Sequence, residues 1–436
     1  MIDPPMEGVW IEPVSHFDLE QDSLSWANRV TEGRRRNRGI VTARMDGSFA
    51  PLTVAAYADQ AAKTDRGVEG QSLAFPLLGL FGETGSLLSA LKKKQRDRAS
   101  SVAYSDAVAE ELGDVLWYLA AIARRGGLSL SAIAAHLYRK DGQWLNKDDP
   151  ALTFEALQPH TIVRTAAPLP QFEETLLALA AEVGAMVADH QNAALVPGGE
   201  ALARRLTNVF RLLLKASREA GLTLEGAAVK NRHKILGRWP EEKIYPAAPD
   251  ADKDYDEQLP RQMAIEIFEK SVGDRPFVFQ RCNELFIGDR LTDNAHEADD
   301  YRFHDVFHYA FVAVLGWSPV VRSLLRLKRK SDAKLDETED GARAILIEEG
   351  ISTWVFSMAR PLDYFRGMKA GELPLDLLKQ VHQFVQGYEP QDYPLWLWEE
   401  AILQGYAAFR FLQEHRRGLV TIDFGNRQLR IEPLAS

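Results

Sequence analysis

The sequence has one cysteine, Cys282, so it can form neither an intramolecular disulfide nor a cysteine-built zinc site. It also lacks any uninterrupted run of 18 apolar residues, which gives no sign of a membrane span. Positive charge is in the minority: 52 Lys and Arg stand against 62 Asp and Glu, a formal net charge of −10. That balance argues against a general nucleic-acid surface. It does not argue against nucleotides, because bound Mg²⁺ reconciles acidic side chains with phosphates. The opening residues MIDPPMEGVWIEP carry no basic-then-apolar pattern, so no secretory signal is read there. The expectation is a cytoplasmic protein without a membrane partner. At 436 residues the chain is too long for one ordinary core, and two or three domains are expected.

What is present is mostly helical periodicity. Residues 1–50 read as an N-terminal extension with a basic run at Arg34-Arg35-Arg36. From Leu52 four helical stretches follow: LTVAAYADQAAKTDR, AFPLLGLFGETGSLLSALKKK, SDAVAEELGDVLWYLAAIARRGG and LSLSAIAAHLYRK. Pro76 suits the first turn of the second, and Gly126-Gly127 stop the third. Residues 150–170 read as a linker, and helices resume at QFEETLLALAAEVGAMVADH. A Pro- and Asp-rich stretch at 245–260 marks a boundary. Beyond it the pattern is again mostly helical, and the last residues form a hairpin around Gly425-Asn426. The expected units are 1–50, 51–150, 151–245 and 255–436.

Two of these units look alike. ELGDVLWYLAAIARRGGLSLSAIAAHLYRK (111–140) lies over RLTNVFRLLLKASREAGLTLEGAAVKNRHK (205–234) without a gap, and the Gly-Leu helix junctions coincide at Gly127-Leu128 and Gly221-Leu222. Upstream, GETGSLLSAL lines up with AEVGAMVADH. The acids do not survive the comparison: Glu111 becomes Arg205 and Asp114 becomes Asn208. This reads as an internal repeat, with the chance alignment of two amphipathic helix pairs as the plainer alternative.

Glu111 and Asp114 are three residues apart on a helix, so they share a face; Glu110 points about 100° away. Glu83 lies on the preceding helix and meets them if the two helices pair antiparallel. Three converging carboxylates are costly unless a cation joins them. An all-oxygen set suits Mg²⁺ or Mn²⁺ bound together with substrate phosphates. The bland alternative is a solvated acidic helix face.

Residues 52–125 resemble the MazG-like, all-α nucleoside triphosphate pyrophosphohydrolases, relatives of the dimeric dUTPases. The family pattern is E-x-x-E on one helix and E-x-x-D on the next. Glu111-Leu112-Gly113-Asp114 fits the second half, whereas Glu83-Thr84-Gly85-Ser86 puts serine where the family has its second glutamate. The resemblance implies Glu83, Glu111 and Asp114 as metal ligands, with Glu110 as a substitute among the catalytic acids. It also implies a phosphate-holding Asn, Lys and Arg on a final helix ending Arg-Trp-Pro. Here these are Asn231, Lys234 and Arg238, and they lie in the second copy. Family members share sites between protomers. The chain is therefore expected to be mostly α, with tandem four-helix units of this kind forming a pseudo-dimer with one composite site. A second, mainly helical domain with a short C-terminal β-hairpin follows, and a homo-oligomer stays open. An ordinary basic helix end is the alternative for Lys234 and Arg238. Phe75, Trp117 and Tyr118 are candidates to stack on a base, with at least two of them expected in the core.

In the C-terminal region His304 and His308 share a helix face, with Asp299, Asp300 and Asp305 close in sequence and Glu348 and Glu349 on a later helix. Two histidines one turn apart plus a carboxylate form a pattern found with iron(II) or zinc. His304-Asp305 also resembles the dyad of HD-type phosphohydrolases, although the remaining ligands of that family are not recognisable here. A buried, hydrogen-bonded helix interface explains the same residues without metal. Arg302 and the run 322–330 read as phosphate or RNA contacts, or more simply as a solvated helix end.

Three functions remain in view. The first is a Mg²⁺-dependent hydrolase that cleaves a nucleoside triphosphate to monophosphate and pyrophosphate. The second is a degenerate nucleotide sensor that controls the C-terminal domain. The third is a C-terminal His/Glu metal enzyme with the N-terminal part as scaffold.

Overall fold

The computed structural model describes residues 51–65, 72–97, 104–139, 144–158 and 170–434. The N-terminal extension and its arginine run lie outside them. Residues Thr53–Ser436 form one unit.

Among the described residues, the first half has one short helical turn at Phe154–Leu157 and seven longer helices: α1 (Val54–Thr64), α2 (Ala74–Asp97), α3 (Tyr104–Arg125), α4 (Leu130–Arg139), α5 (Gln171–Gln191), α6 (Glu200–Glu219) and α7 (Leu224–Arg238). Helix α3 is central. Its Val108, Leu112, Val115, Leu116, Leu119 and Ile122 are wholly buried, each worth roughly 1.5–3 kcal/mol in apolar area removed from water. It packs on α2, α6 and α7, while α2 also packs on α5. By length and mean hydropathy α2 could cross a membrane. One face of it, however, packs into this bundle through Leu77, Leu80, Leu87 and Leu91.

The two glycine junctions take the same form. Gly127 (φ 69°) and Gly221 (φ 72°) are both left-handed. Leu128 N–H donates to Ala123 O and Leu222 N–H to Ser217 O, each at 2.8 Å. Gly127 N–H reaches Arg124 O at 3.1 Å, and Gly221 N–H reaches Arg218 O at 3.0 Å. This is the glycine cap that satisfies the last carbonyls of a helix, built twice from residues at one constant offset. Next come Ser129 and Thr223, whose hydroxyls accept from Ala132 N–H and Gly226 N–H. A second correspondence escaped the sequence reading. Thr53 and Thr153 pair in an antiparallel bridge, and each hydroxyl caps a helix by accepting from the N–H three residues on, at 3.1 Å.

The second half departs further from expectation. The C-terminal hairpin exists as β4 (Arg417–Asp423) and β5 (Gln428–Glu432), turned where Asn426 bonds to Asp423. It belongs to a five-stranded antiparallel sheet of order β3-β2-β1-β4-β5, with β1 (Gln262–Val272), β2 (Arg275–Cys282) and β3 (Leu285–Phe286). Three of these strands were not anticipated. The alternation of Met263, Ile265 and Ile267, ahead of the left-handed Gly273, was the available signal. Against the sheet pack α8 (Asp305–Ala310) and α11 (Leu395–His415). Helices α9 (Ala342–Ala359) and α10 (Leu375–Phe384) complete the layer. Gly405 lets α11 approach α8 closely: a Cβ there would lie 3.2 Å from Ala310 Cβ.

Candidate active site

Helix α2 brings Glu83, and α3 brings Glu111 and Asp114, to a common point. One carboxylate oxygen from each lies within 4.8 Å of the others. Ser86 follows Glu83 by one turn and is half-buried. The group is electrostatically strained. Burial, and then the Glu83 carboxylate, push Glu111 up to about 7.

Helix α7 supplies the opposite wall. Asn231 Nδ2 donates to Asp114 Oδ1 at 2.8 Å, and Lys234 Nζ pairs with Asp114 Oδ2. The close approach depends on Gly113, where a Cβ would meet Asn231 Cβ at 2.7 Å and Ala227 O at 2.8 Å. An interior helix glycine beside two acids was the signal for this crossing. Tyr57, which the sequence reading passed over, sets the amide. Its hydroxyl donates to Asn231 Oδ1 at 2.9 Å, which turns the Asn231 NH₂ toward Asp114. Burial, and then Asp114, hold the Tyr57 hydroxyl well above its ordinary pKa, so it stays a donor.

Two of the expected residues have other partners, although Arg238 also lines the cleft beside Lys234. Glu110 does not join the carboxylate cluster. It lies 3.2 Å from Lys234 Nζ and 2.8 Å from Lys379 Nζ on α10. Burial would raise its pKa, but the two ammonium groups hold it at about 2. Arg238 is buried and turned toward the second half, where it pairs with Glu399 at 3.0 Å and donates to Leu373 O at 2.7 Å. A guanidinium so held cannot reach a phosphate beside Lys234 without stranding Glu399.

Between these walls is a cleft of about 310 Å³, within the range of small-molecule sites. Its lining includes Phe75, Trp117, Tyr118, Glu83, Asp114 and Lys234. None of the three aromatics is in the buried core: Phe75 is exposed, and Trp117 and Tyr118 are half-buried. Trp117 is anchored by Nε1–H donating to Thr64 Oγ1 at 3.0 Å, and Tyr118 meets it edge-on at 5.0 Å. Leu375 of α10 closes one side.

Arg205 and Asn208 stand at the positions aligned with Glu111 and Asp114. Arg205 lies 3.1 Å from Glu182 and 2.8 Å from Asp189, and Asn208 donates to Glu182 Oε1 at 3.3 Å. A guanidinium stands there among carboxylates.

In the second half the structure gathers His304, His308, Asp305 and Glu349. Glu348, expected among the ligands, faces away and instead accepts from His308 Nδ1, Ser318 Oγ and Val320 N–H. Asp300 is committed to Arg302 and Arg416, and Asp299 to Tyr301 N–H. The basic residues singled out here divide: Arg326 and Lys330 are exposed, and the rest of the set is more enclosed. Arg302, Arg322 and Arg329 are buried and paired with Asp293, Asp250 and Asp340.

A family model described as the MazG nucleotide pyrophosphohydrolase domain matches residues 71–143. A second, described as the MazG C-terminal domain, matches residues 245–435. No curated protein and no solved structure matches the chain.

Proposed function

Starting from a chain that belongs to the MazG-like family, we propose that it hydrolyses a nucleoside triphosphate to monophosphate and pyrophosphate at one site composed of both repeats. At family level the matched domains imply nucleotide pyrophosphohydrolase activity. The finer reading rests on a single observation: Asp114 of the first repeat is bonded to both Asn231 and Lys234 of the second. In this reading the chain is a fused pseudo-dimer, and one copy suffices for a complete site. The lone Cys282 favours a cytoplasmic setting.

The donor set fits a divalent cation. Glu83, Glu111 and Asp114 offer oxygens only, they converge, and Glu111 gives up its proton reluctantly in the absence of positive charge. Such a set suits Mg²⁺ or Mn²⁺. When bound, the ion neutralises the triphosphate and makes a coordinated water more acidic. The chain's own residues do the rest. Lys234 exchanges a carboxylate oxygen for a phosphate oxygen and stabilises the charge that develops there. Asn231, fixed by Tyr57, holds Asp114 in orientation. Phe75, Trp117 and Tyr118 offer ring faces and edges to a base.

A nucleotide sensor without turnover is the second reading. It is favoured by Ser86, which removes one acid, and by Lys234, which occupies Asp114. Pyrophosphate release from a panel of ribo- and deoxynucleoside triphosphates, with Mg²⁺ or Mn²⁺, separates the two. Turnover lost in Glu111→Gln and kept in His304→Ala supports the hydrolase. Saturable nucleotide binding without release supports the sensor.

A further inference from the structure

The cluster in the second half differs in kind from the acidic site. His304 and His308 lie one helical turn apart, and their Nε2 atoms turn to the same side. His304 Nε2 is 3.1 Å from Asp305 Oδ1 and 3.9 Å from Glu349 Oε2. His308 Nε2 is 3.5 Å from Glu349 Oε2. That nitrogen is buried and has no hydrogen-bond partner.

The other ring nitrogens are both occupied. His304 Nδ1 lies 2.9 Å from Tyr301 O, a carbonyl that only accepts. His308 Nδ1 lies 2.8 Å from Glu348 Oε1. Glu348 is in turn fully buried and held by Ser318 Oγ and Val320 N–H. The Tyr301 ring stacks flat on His304 at 4.4 Å. Each imidazole thus engages a fixed acceptor through Nδ1, which leaves Nε2 as the nitrogen available to a metal. This is the outer-shell arrangement that orients metal-ligating histidines.

We propose that His304 Nε2, His308 Nε2, Asp305 and Glu349 hold a divalent first-row transition-metal ion of the zinc or iron(II) class. A tetrahedral ion with bonds of about 2.1 Å spaces its ligands about 3.4 Å apart, close to the separations here. Two imidazoles among the donors select against Mg²⁺ and Ca²⁺. Glu349 is the one member with appreciable exposure, 38% of its side chain, so the ion has a side open to water. The centre is separate from the nucleotide site in residues and in donor chemistry.

The test uses the full chain, stripped with a chelator and titrated with Co²⁺. The expected result is a visible absorption band that saturates at one equivalent and is displaced by Zn²⁺. It should persist in Glu111→Gln and disappear in His304→Ala. Glu349→Gln, at a partly exposed position that folding tolerates, should weaken Co²⁺ binding at least tenfold and shift the band. The same four residues without metal would form a His308 imidazolium clamped between Glu348 and Glu349. In that case no band appears in the folded wild type, or the only Co²⁺ bound is lost with Glu111→Gln. Either result overturns the proposal.

Discussion

Lys379 of α10 donates to Glu110 of α3 at 2.8 Å, joining residues 269 apart in sequence. Through this bond the second half of the chain reaches the electrostatics of the cleft. In the proposed function, Glu110 without this partner competes with the triphosphate for Lys234. Lys379→Ala should raise the KM for nucleotide about 3–10-fold with kcat within about twofold, the pattern of lost ground-state binding. Its effect on the urea midpoint should stay under about 1 kcal/mol, because Lys379 is partly exposed. Steady-state kinetics and urea denaturation check both.

The acidic cluster predicts a pH dependence with a definite sign. The folded-state pKa of Glu111, about 7, lies above its ordinary 4.5. In metal-free protein the folded state therefore binds the extra proton between these values. Stability from this group is full below about 4.5 and is lost as pH rises through about 7. The urea midpoint in chelator should fall between pH 6 and pH 8, and the fall should be smaller in Glu111→Gln. Mn²⁺ binding should release more protons at pH 6.5 than at pH 8.5 by calorimetry in buffers of different ionisation enthalpy.

Arg205 occupies the place of Glu111 in the second repeat. Arg205→Ala should cost about 1–2 kcal/mol, since Glu182 and Asp189 lose a shared, partly buried partner. The double variant Arg205→Glu with Asn208→Asp rebuilds three carboxylates. If the halves are a fused pseudo-dimer, Mn²⁺ stoichiometry measured with His304 replaced by Ala should rise from one to two.

Arg238→Ala should destabilise by about 3–5 kcal/mol, because it leaves Glu399 buried without its cation. At a temperature where the variant stays folded, KM for nucleotide should rise only about 2–5-fold, through the loosened end of α7 rather than a lost phosphate contact. A large rise in KM with unchanged stability would instead return Arg238 to the phosphates.

Much of the first half was legible because its signals are local. The i, i+3 spacing of Glu111 and Asp114 fixes a common face, and the glycine junctions fix two helix ends. That Asn231 and Lys234 share a site with Asp114 was an implication of the family resemblance; their direct bonds to it were not read from the sequence. What escaped depends on distant chain. Nothing near Arg238 announces Glu399, 161 positions on, and nothing near Glu110 announces Lys379. The strands at 262–286 were missed for another reason: the alternation of Met263, Ile265 and Ile267 is short, and Glu269 breaks it on the same face.

Helix α7 carries Lys234 and, one turn later, Arg238. Both line the cleft, and the second is also tied to Glu399 of the other half. A rod of 15 residues does not bend over a single turn, so the two ends cannot be tuned apart. Any ligand that draws Lys234 inward tugs at the Glu399 anchorage. Equally, any force that loosens that anchorage alters the grip on the ligand. By thermodynamic reciprocity the two effects are equal in free energy. In the proposed pseudo-dimer, the one remaining site is mechanically answerable to its neighbour.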